Sequence, residues 1–345
     1  MADKVRIGII GAGGIFRSRH FPGLAGVDNA EVVAICNRSE ASGKKIADEF
    51  GLSPDFLTDP QALLDRDDVD AVMIGTWPYK HCPFVLDSLD AGKHTFVQAR
   101  MAMNLLEAKA MYAKAQETGL VAQICQSPIG MKGTKTIQRL VKEGYLGDIY
   151  NVHARSLSGG NSDADTPLHW RQIERFSGLN ALNMGILIET VHRWYGYMKT
   201  ITAQAETFIR HRPVDGGGTA LVERPDTVTV MGEMENGAQA SFLFSAVARF
   251  GMDPRVEAYG SEGTLIYQLN DTILGARKGD DELKEIPIPA DEVKEWTVEK
   301  DFVDAIADGA GEPETTFYQG VKYMELTEAV FRSVESGSTV RLPLV

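Results

Sequence analysis

Five residues have side chains able to handle a proton or a developing charge in a cleft: Tyr79, His81, Arg100, His169 and His192. Tyr79, a phenol donor, and His81, an imidazole, lie in GTWPYKH (75–81), directly after the strand-like run DAVMIG. A histidine there can equally cap or pack the helix that follows, and the tyrosine can be an ordinary surface residue. Arg100 follows a second strand-like run, HTFVQ, within Gln98-Ala99-Arg100. Its guanidinium stays charged at any ordinary pH and is a poor base. It suits clamping a carboxylate or phosphate, or polarising a carbonyl oxygen. His169 opens His169-Trp170-Arg171, where an arginine beside an aromatic suits sugar hydroxyls or a carboxylate, or braces the preceding loop. His192 lies three residues after Glu189 on an expected helix. The carboxylate can orient the imidazole as a base, or the two can form a plain polar pair. Asn183, Thr190, Gln126 and His153 are further groups able to bind substrate.

A phosphate loop precedes all of these. GIIGAGGIF puts Gly11, Gly13 and Gly14 after the first strand-like run and before Ile15 and Phe16. Such a turn faces backbone amides and a helix N-terminus toward a pyrophosphate. Phe16 fills a position that is normally small, so helix–strand packing has to adapt there. About 20 residues beyond the glycines, an acidic residue would bind the adenosine ribose hydroxyls. This chain has Asn37, Arg38 and Ser39 there, followed by Lys44 and Lys45. Neutral and cationic groups favour the 2′-phosphorylated cofactor, NADP(H), over NAD(H).

These residues need a frame. VRIGII (5–10), EVVAIC (31–36), DAVMIG (70–75) and HTFVQ (94–98) alternate with helix-compatible segments at 14–26, 39–50, 60–66, 79–91 and 104–117. This βα alternation predicts an open parallel sheet with helices on both faces. After residue 126 the texture changes. Helices are expected at 131–143 and 180–196. Five strand-like runs between 201 and 269, the first over 201–210, suggest a mostly antiparallel sheet, and helices at 297–308 and 316–336 follow. The expected fold is thus α/β plus α+β. A nucleotide-binding domain spans 1–122 and an α+β substrate and oligomerisation domain spans 123–345, its final helices free to pack back on the first.

The net charge of −13 argues against a nucleic-acid partner but not against a small anionic ligand. Cys36, Cys82 and Cys125 lack metal-type spacing and suit a reduced, cytoplasmic protein. No signal segment or membrane-spanning run is visible. The scattered histidines and the Asp163/Asp165 pair give no expected metal site.

Taken with the glycine turn, GTWPYKH, GKHTFVQARMAMN, GYLGDI and SGLNALNMGILIETVHRW form an ordered set that resembles the Gfo/Idh/MocA family of oxidoreductases. The resemblance covers nearly the whole chain. It implies an N-terminal Rossmann domain, a C-terminal open antiparallel sheet and nicotinamide-dependent chemistry on sugars, polyols and related carbonyl compounds. It also implies a homodimer or homotetramer, and it places Thr76, Trp77, Pro78, His81, Gln98 and Ala99 beside the cofactor. His169-Trp170-Arg171 resembles the family's segment before the substrate helix.

Two departures stand out. The family usually has Glu-Lys-Pro where this chain has Gln98-Ala99-Arg100, so its lysine position is Ala99. The Asp, Gly and His of a second family pattern fall on Asn183, Gly185 and Leu187, so the usual histidine is absent too. A positioned base contributes about 10²–10⁴-fold to such a reaction, and neither Ala99 nor Leu187 accepts a proton. The expectation is therefore an NADP(H)-dependent oxidoreductase with a non-standard acid/base set drawn from Tyr79, His81, His169 or His192. The alternatives are a lyase or isomerase on the same scaffold and a cofactor-binding sensor without turnover.

Overall fold

Runs that are apolar on both faces become neighbouring parallel strands in the computed structural model, which describes residues 4–125, 131–309 and 311–344. The strands are β1 (Val5–Ile10), β2 (Ala30–Cys36), β3 (Asp55–Leu57), β4 (Ala71–Ile74), β5 (His94–Val97) and β6 (Ala122–Ile124). They form one wholly parallel sheet in the order β3-β2-β1-β4-β5-β6, the Rossmann order, which reverses beside β1.

Local chemistry sets the helix starts. Ser39 caps α2 (Glu40–Asp48) by accepting from the Ser42 amide. Asp59 caps α3 (Pro60–Leu64), where Pro60 fits the first turn. Asn104 caps α5 (Leu105–Thr118), and Gly119 in the left-handed region ends it. The helix after the glycine turn runs over 14–24, with a π-helical turn at Phe16–His20 ahead of α1 (Phe21–Leu24). The anticipated adaptation to Phe16 is visible here. Its ring is fully buried, and a Cβ on Gly75 would lie 2.3 Å from it, so Gly75 makes the room. Helix α4 (His81–Asp90) follows β4.

The chain divides into two compact units, residues 1–126 with 296–322, and 127–295 with 323–345. The first unit therefore includes α9 (Val298–Ala307) and the opening residues of α10 (Phe317–Ser336). Phe302 of α9 packs on Phe96 of β5, the Gln123 amide donates to the Val298 carbonyl, and Thr315 donates to the Ile124 carbonyl.

The second unit is built on a nine-stranded sheet. Its strands are β7 (Ile149–Leu157), β8 (Met198–Glu206), β11 (Thr227–Met234), β12 (Gln239–Ser245), β13 (Arg255–Gly260), β14 (Gly263–Gln268), β15 (Thr272–Arg277), β16 (Lys284–Glu285) and β17 (Val340–Arg341). Their order is β16-β15-β14-β13-β7-β12-β11-β8-β17, antiparallel except for the parallel β12–β7 pair. The run read as a strand to residue 210 ends at Glu206. A separate small hairpin, β9 (His211–Pro213) with β10 (Thr219–Leu221), had no clear alternation to announce it. Alternation does set the faces: Val228, Val230, Phe242 and Phe244 are buried, whereas Met231 and Leu243 are exposed. Helices α6 (Thr134–Lys142), α7 (Glu174–Ser177) and α8 (Met184–Tyr195) belong to this unit, with Trp194 of α8 edge-on to Tyr267 of β14.

Candidate coenzyme site

At the carboxyl ends of β1, β2 and β4, where ligands bind in such sheets, lies a cleft of about 380 Å³. Gly11, Gly13, Asn37, Arg38, Thr76, Trp77 and Tyr79 line it, as do Ser42, Thr58, Pro60, Lys80 and Phe84, which sequence reasoning did not single out. Lys80 and Phe84 sit on the predicted helix after β4, but nothing in their pattern marks the face that turns toward the cleft.

The glycines differ in what dictates them. Gly11 has φ +85°, and a Cβ there would lie 2.6 Å from Thr76 Cγ2, so the fold itself requires glycine. At Gly13 the nearest atom to a Cβ would be 3.9 Å away, and at Gly14 nothing lies within 4 Å. Packing does not demand glycine at these two, and the open space beside the helix N-terminus suits a pyrophosphate. Asn37 ties the end of β2 to the turn by donating to the Ala12 carbonyl at 3.0 Å. Its Oδ1 and the Thr76 hydroxyl are buried without a hydrogen-bond partner, as polar groups awaiting a ligand would be. The residues present thus fit a dinucleotide.

Arg38 and Lys80 are exposed, and neither forms an ion pair with another described residue. The Lys80 ammonium lies 5.4 Å from the Tyr79 ring and 5.7 Å from the Phe84 ring, within cation–π range. Cys36 also lines the cleft, but burial pushes its thiol up to about 11, which leaves it unreactive.

Other expected cofactor contacts sit behind this lining. Pro78 is buried at the start of a short 3₁₀ turn, Ser39 serves as the α2 cap, Ile15 is half-buried and Phe16 packs under Gly75. His81 is fully buried. Its Nε2 lies 2.9 Å from the Thr76 carbonyl, and its Nδ1 faces the Arg100 and Met101 carbonyls at 2.9 and 3.2 Å. Both ring nitrogens face backbone carbonyls and the neutral ring donates to one side only, so His81 is wedged between the Gln98–Met101 turn and the cleft loop rather than presenting a base. Gln98 is buried, Ala99 packs on the apolar core and Arg100 is half-buried, with a cis peptide between the last two.

The remaining candidates fall in the second unit. Glu189 accepts from Arg193 at 2.9 and 3.1 Å, and His192 packs edge-on to Tyr197. The carboxylate is thus engaged one turn further along α8 than anticipated. Leu187 is fully buried, Thr190 donates back to the Ile186 carbonyl, and Asn183, exposed at the start of α8, donates to Ser156. His169 is exposed and accepts from the Arg171 amide, and the Arg171 guanidinium stacks 4.4 Å from the Trp170 ring centre. His153 bonds Ser241 at 2.7 Å. Gln126 lies outside the described residues. Among the described residues no cluster suits a metal, and no helix is long and apolar enough to cross a membrane.

The family comparisons agree with this geometry. The Gfo/Idh/MocA oxidoreductase model, described as an NAD-binding Rossmann fold, matches residues 5–125, and the Gfo/Idh/MocA C-terminal domain model matches residues 134–266. The chain belongs to the Gfo/Idh/MocA family and carries its NAD-binding Rossmann domain. It is 36% identical over 120 residues to a 4-carboxy-2-hydroxymuconate-6-semialdehyde dehydrogenase of Sphingobium, covering 35% of this chain and 38% of that protein. With levoglucosan dehydrogenase of Pseudarthrobacter phenanthrenivorans it shares 25% over 254 residues, 69% of this chain and 64% of that one. These two matches therefore span under two thirds of the relatives' own lengths. Among solved structures, apo levoglucosan dehydrogenase superposes with a TM-score of 0.88 at 21% identity over 99% of this chain and all of that one. An oxidoreductase domain protein from Kribbella flavida gives 0.87 at 22% over the whole of both chains, a likeness of fold.

Proposed function

We propose that this chain is an NADP(H)-preferring oxidoreductase that interconverts an alcohol and a carbonyl on a sugar, a polyol or a related compound. The cation at the end of β2 carries the coenzyme preference. Arg38 lines the cleft without an ion-pair partner, where an acidic residue would mark the unphosphorylated coenzyme. Lys80 adds a second unpaired cation to the same cleft. The open space at Gly13 and Gly14 suits the pyrophosphate, and Asn37 Oδ1 and the Thr76 hydroxyl offer polar contacts. When bound, the nicotinamide supplies the hydride donor or acceptor.

The sugar class rests on family membership and on relatives named for levoglucosan and dTDP-sugars. With Ala99 and Leu187 in the usual positions, proton transfer falls to another group. Tyr79 and His169, both exposed, are the candidates, and Arg171 stacked on Trp170 suits substrate hydroxyls or a carboxylate. Three buried free cysteines support a reducing compartment such as the cytoplasm. Met231 and Leu243, exposed on one face of the second sheet, support assembly of copies through that face.

The same two substitutions favour a second reading, a lyase or isomerase whose turnover needs no free coenzyme. One experiment addresses both. Nicotinamide fluorescence titrations should give NADPH binding at least about ten-fold tighter than NADH, with the difference removed by Arg38→Ala. A panel of sugars and polyols should then give coenzyme-dependent absorbance change. Equal binding of the two coenzymes by the unaltered protein would refute the preference, and turnover after coenzyme removal would favour the second reading.

A further inference from the structure

A buried chain of hydrogen bonds runs through the first unit from α9 to the Gln98–Ala99 turn. The Glu299 carboxylate, 1% exposed, meets His20 Nδ1 at 2.5 Å. His20, fully buried, receives the Gln98 amide at its Nε2, 2.7 Å away. The Gln98 carbonyl oxygen in turn accepts from the Ala99 backbone amide at 2.7 Å. Phe16, Phe96 and Trp296 surround the His20 ring. Water therefore has little access to replace a missing contact.

The donor and acceptor roles leave one consistent assignment. The Ala99 backbone amide only donates, so Gln98 turns its oxygen toward it and its NH₂ toward His20 Nε2. Nε2 therefore carries the lone pair, which leaves Nδ1 to donate to the Glu299 carboxylate. Each residue sets the orientation of the next. The second carboxylate oxygen of Glu299 is buried with no partner, and a Cβ on Gly23 would fall 2.1 Å from it. Gly23 therefore makes room for the carboxylate. From the other side, the buried His81 ring packs between the Arg100 and Met101 carbonyls of the same turn and the Thr76 carbonyl in the cleft.

We propose that Glu299, His20 and Gln98 form a positioning relay: the carboxylate fixes the His20 tautomer, His20 fixes the Gln98 amide, and Gln98 fixes the turn that His81 fastens to the coenzyme cleft. None of the three touches the cleft, so they act through the turn. The link to coenzyme rests on the proposed function, whereas the tautomer assignment does not.

Two measurements on the full-length protein test it. In ¹⁵N-labelled protein, His20 should show a protonated Nδ1 and an unprotonated Nε2. Gln98→Glu places an acceptor opposite Nε2 and should convert the ring to the doubly protonated form while keeping the bond to the Ala99 amide. NADPH affinity should then stay within about three-fold, whereas Gln98→Ala, which loses both contacts, should weaken it on the order of ten-fold. Gly23→Ala suits a helical position and should perturb NADPH binding only by displacing Glu299. A protonated Nε2 in the unaltered protein overturns the relay. So does equal NADPH loss in Gln98→Glu and Gln98→Ala, or unchanged affinity in both Gln98→Ala and Gly23→Ala. If the unaltered protein binds neither coenzyme, the functional reading fails, and the His20 spectrum alone decides the relay.

Discussion

His81 Nε2 lies 2.9 Å from the Thr76 carbonyl oxygen, which makes a fully buried imidazole the bolt between two loops. Burial lowers its pKa from the ordinary value of 6.5, and the three carbonyls around it only partly oppose that. The folded protein therefore resists a proton that the unfolded chain accepts. The stabilising contribution is complete above about pH 6.5 and declines as pH falls below it. His94, also pushed down by burial, acts in the same sense. Melting temperature should drop between pH 7.5 and 5.5, and His81→Gln should flatten that slope. An unchanged slope in the variant would remove His81 as its source.

Lys80 shares the cleft with Arg38, so its contribution to coenzyme choice is separable. Lys80→Ala should weaken NADPH binding by a few-fold, on the order of 1 kcal/mol for a partly exposed charge contact, and leave NADH nearly unaffected. Equal losses for both coenzymes would point instead to lost packing on Tyr79 and Phe84. Titration of both coenzymes against the variant separates the two outcomes.

Gly75 and Phe16 form a steric pair. Gly75→Ala brings a methyl group to 2.3 Å from the Phe16 ring and 2.9 Å from the Gly11 carbonyl. It should cost about 1–3 kcal/mol of stability and disturb the glycine turn. Adding Phe16→Leu should restore part of the loss, because the ring contact goes and the carbonyl contact stays. Denaturant unfolding of the two single variants and the double gives the coupling directly.

Arg212 is 1% exposed and donates to the backbone carbonyls of Asn161, Asp163 and Thr166. Arg212→Met should release that loop and cost about 2–3 kcal/mol, since three backbone acceptors lose a buried charged donor. Arg212→Lys should rescue little, because an ammonium lacks the fork that spans the three. Faster amide exchange over 161–166, with β11 and β12 unchanged, is the expected signature.

Most of the first sheet was legible because β1, β4 and β5 are nearly wholly buried and read as apolar runs. The three-residue β3, exposed at Asp55 and half-buried beyond it, left no such run. The glycine turn and Arg38 were legible because they sit at fixed distances along one βα unit. What pattern does not carry is the partner of a buried polar group. His20 sits four residues beyond Phe16, yet its role depends on Glu299, 279 residues away. His81 looked like a candidate base for the same reason, since two of the three carbonyls facing it come from a different loop. Glu189 and His192 have the spacing of a pair, but Arg193 lies a full turn from the carboxylate and the charge there takes it.

The first unit is completed by residues 296–322, and the whole second-unit sheet except β17 is encoded before them. During synthesis the N-terminal 125 residues therefore emerge with His20, Phe96 and the end of β6 still lacking Glu299, Phe302 and Thr315. The nearly complete second sheet then emerges before the segment that completes the first unit. A fragment ending at residue 125 is consequently expected to be a poor folder. A fusion that joins 296–322 to that fragment, with the second unit left out, is the shorter route to an isolated coenzyme-binding unit.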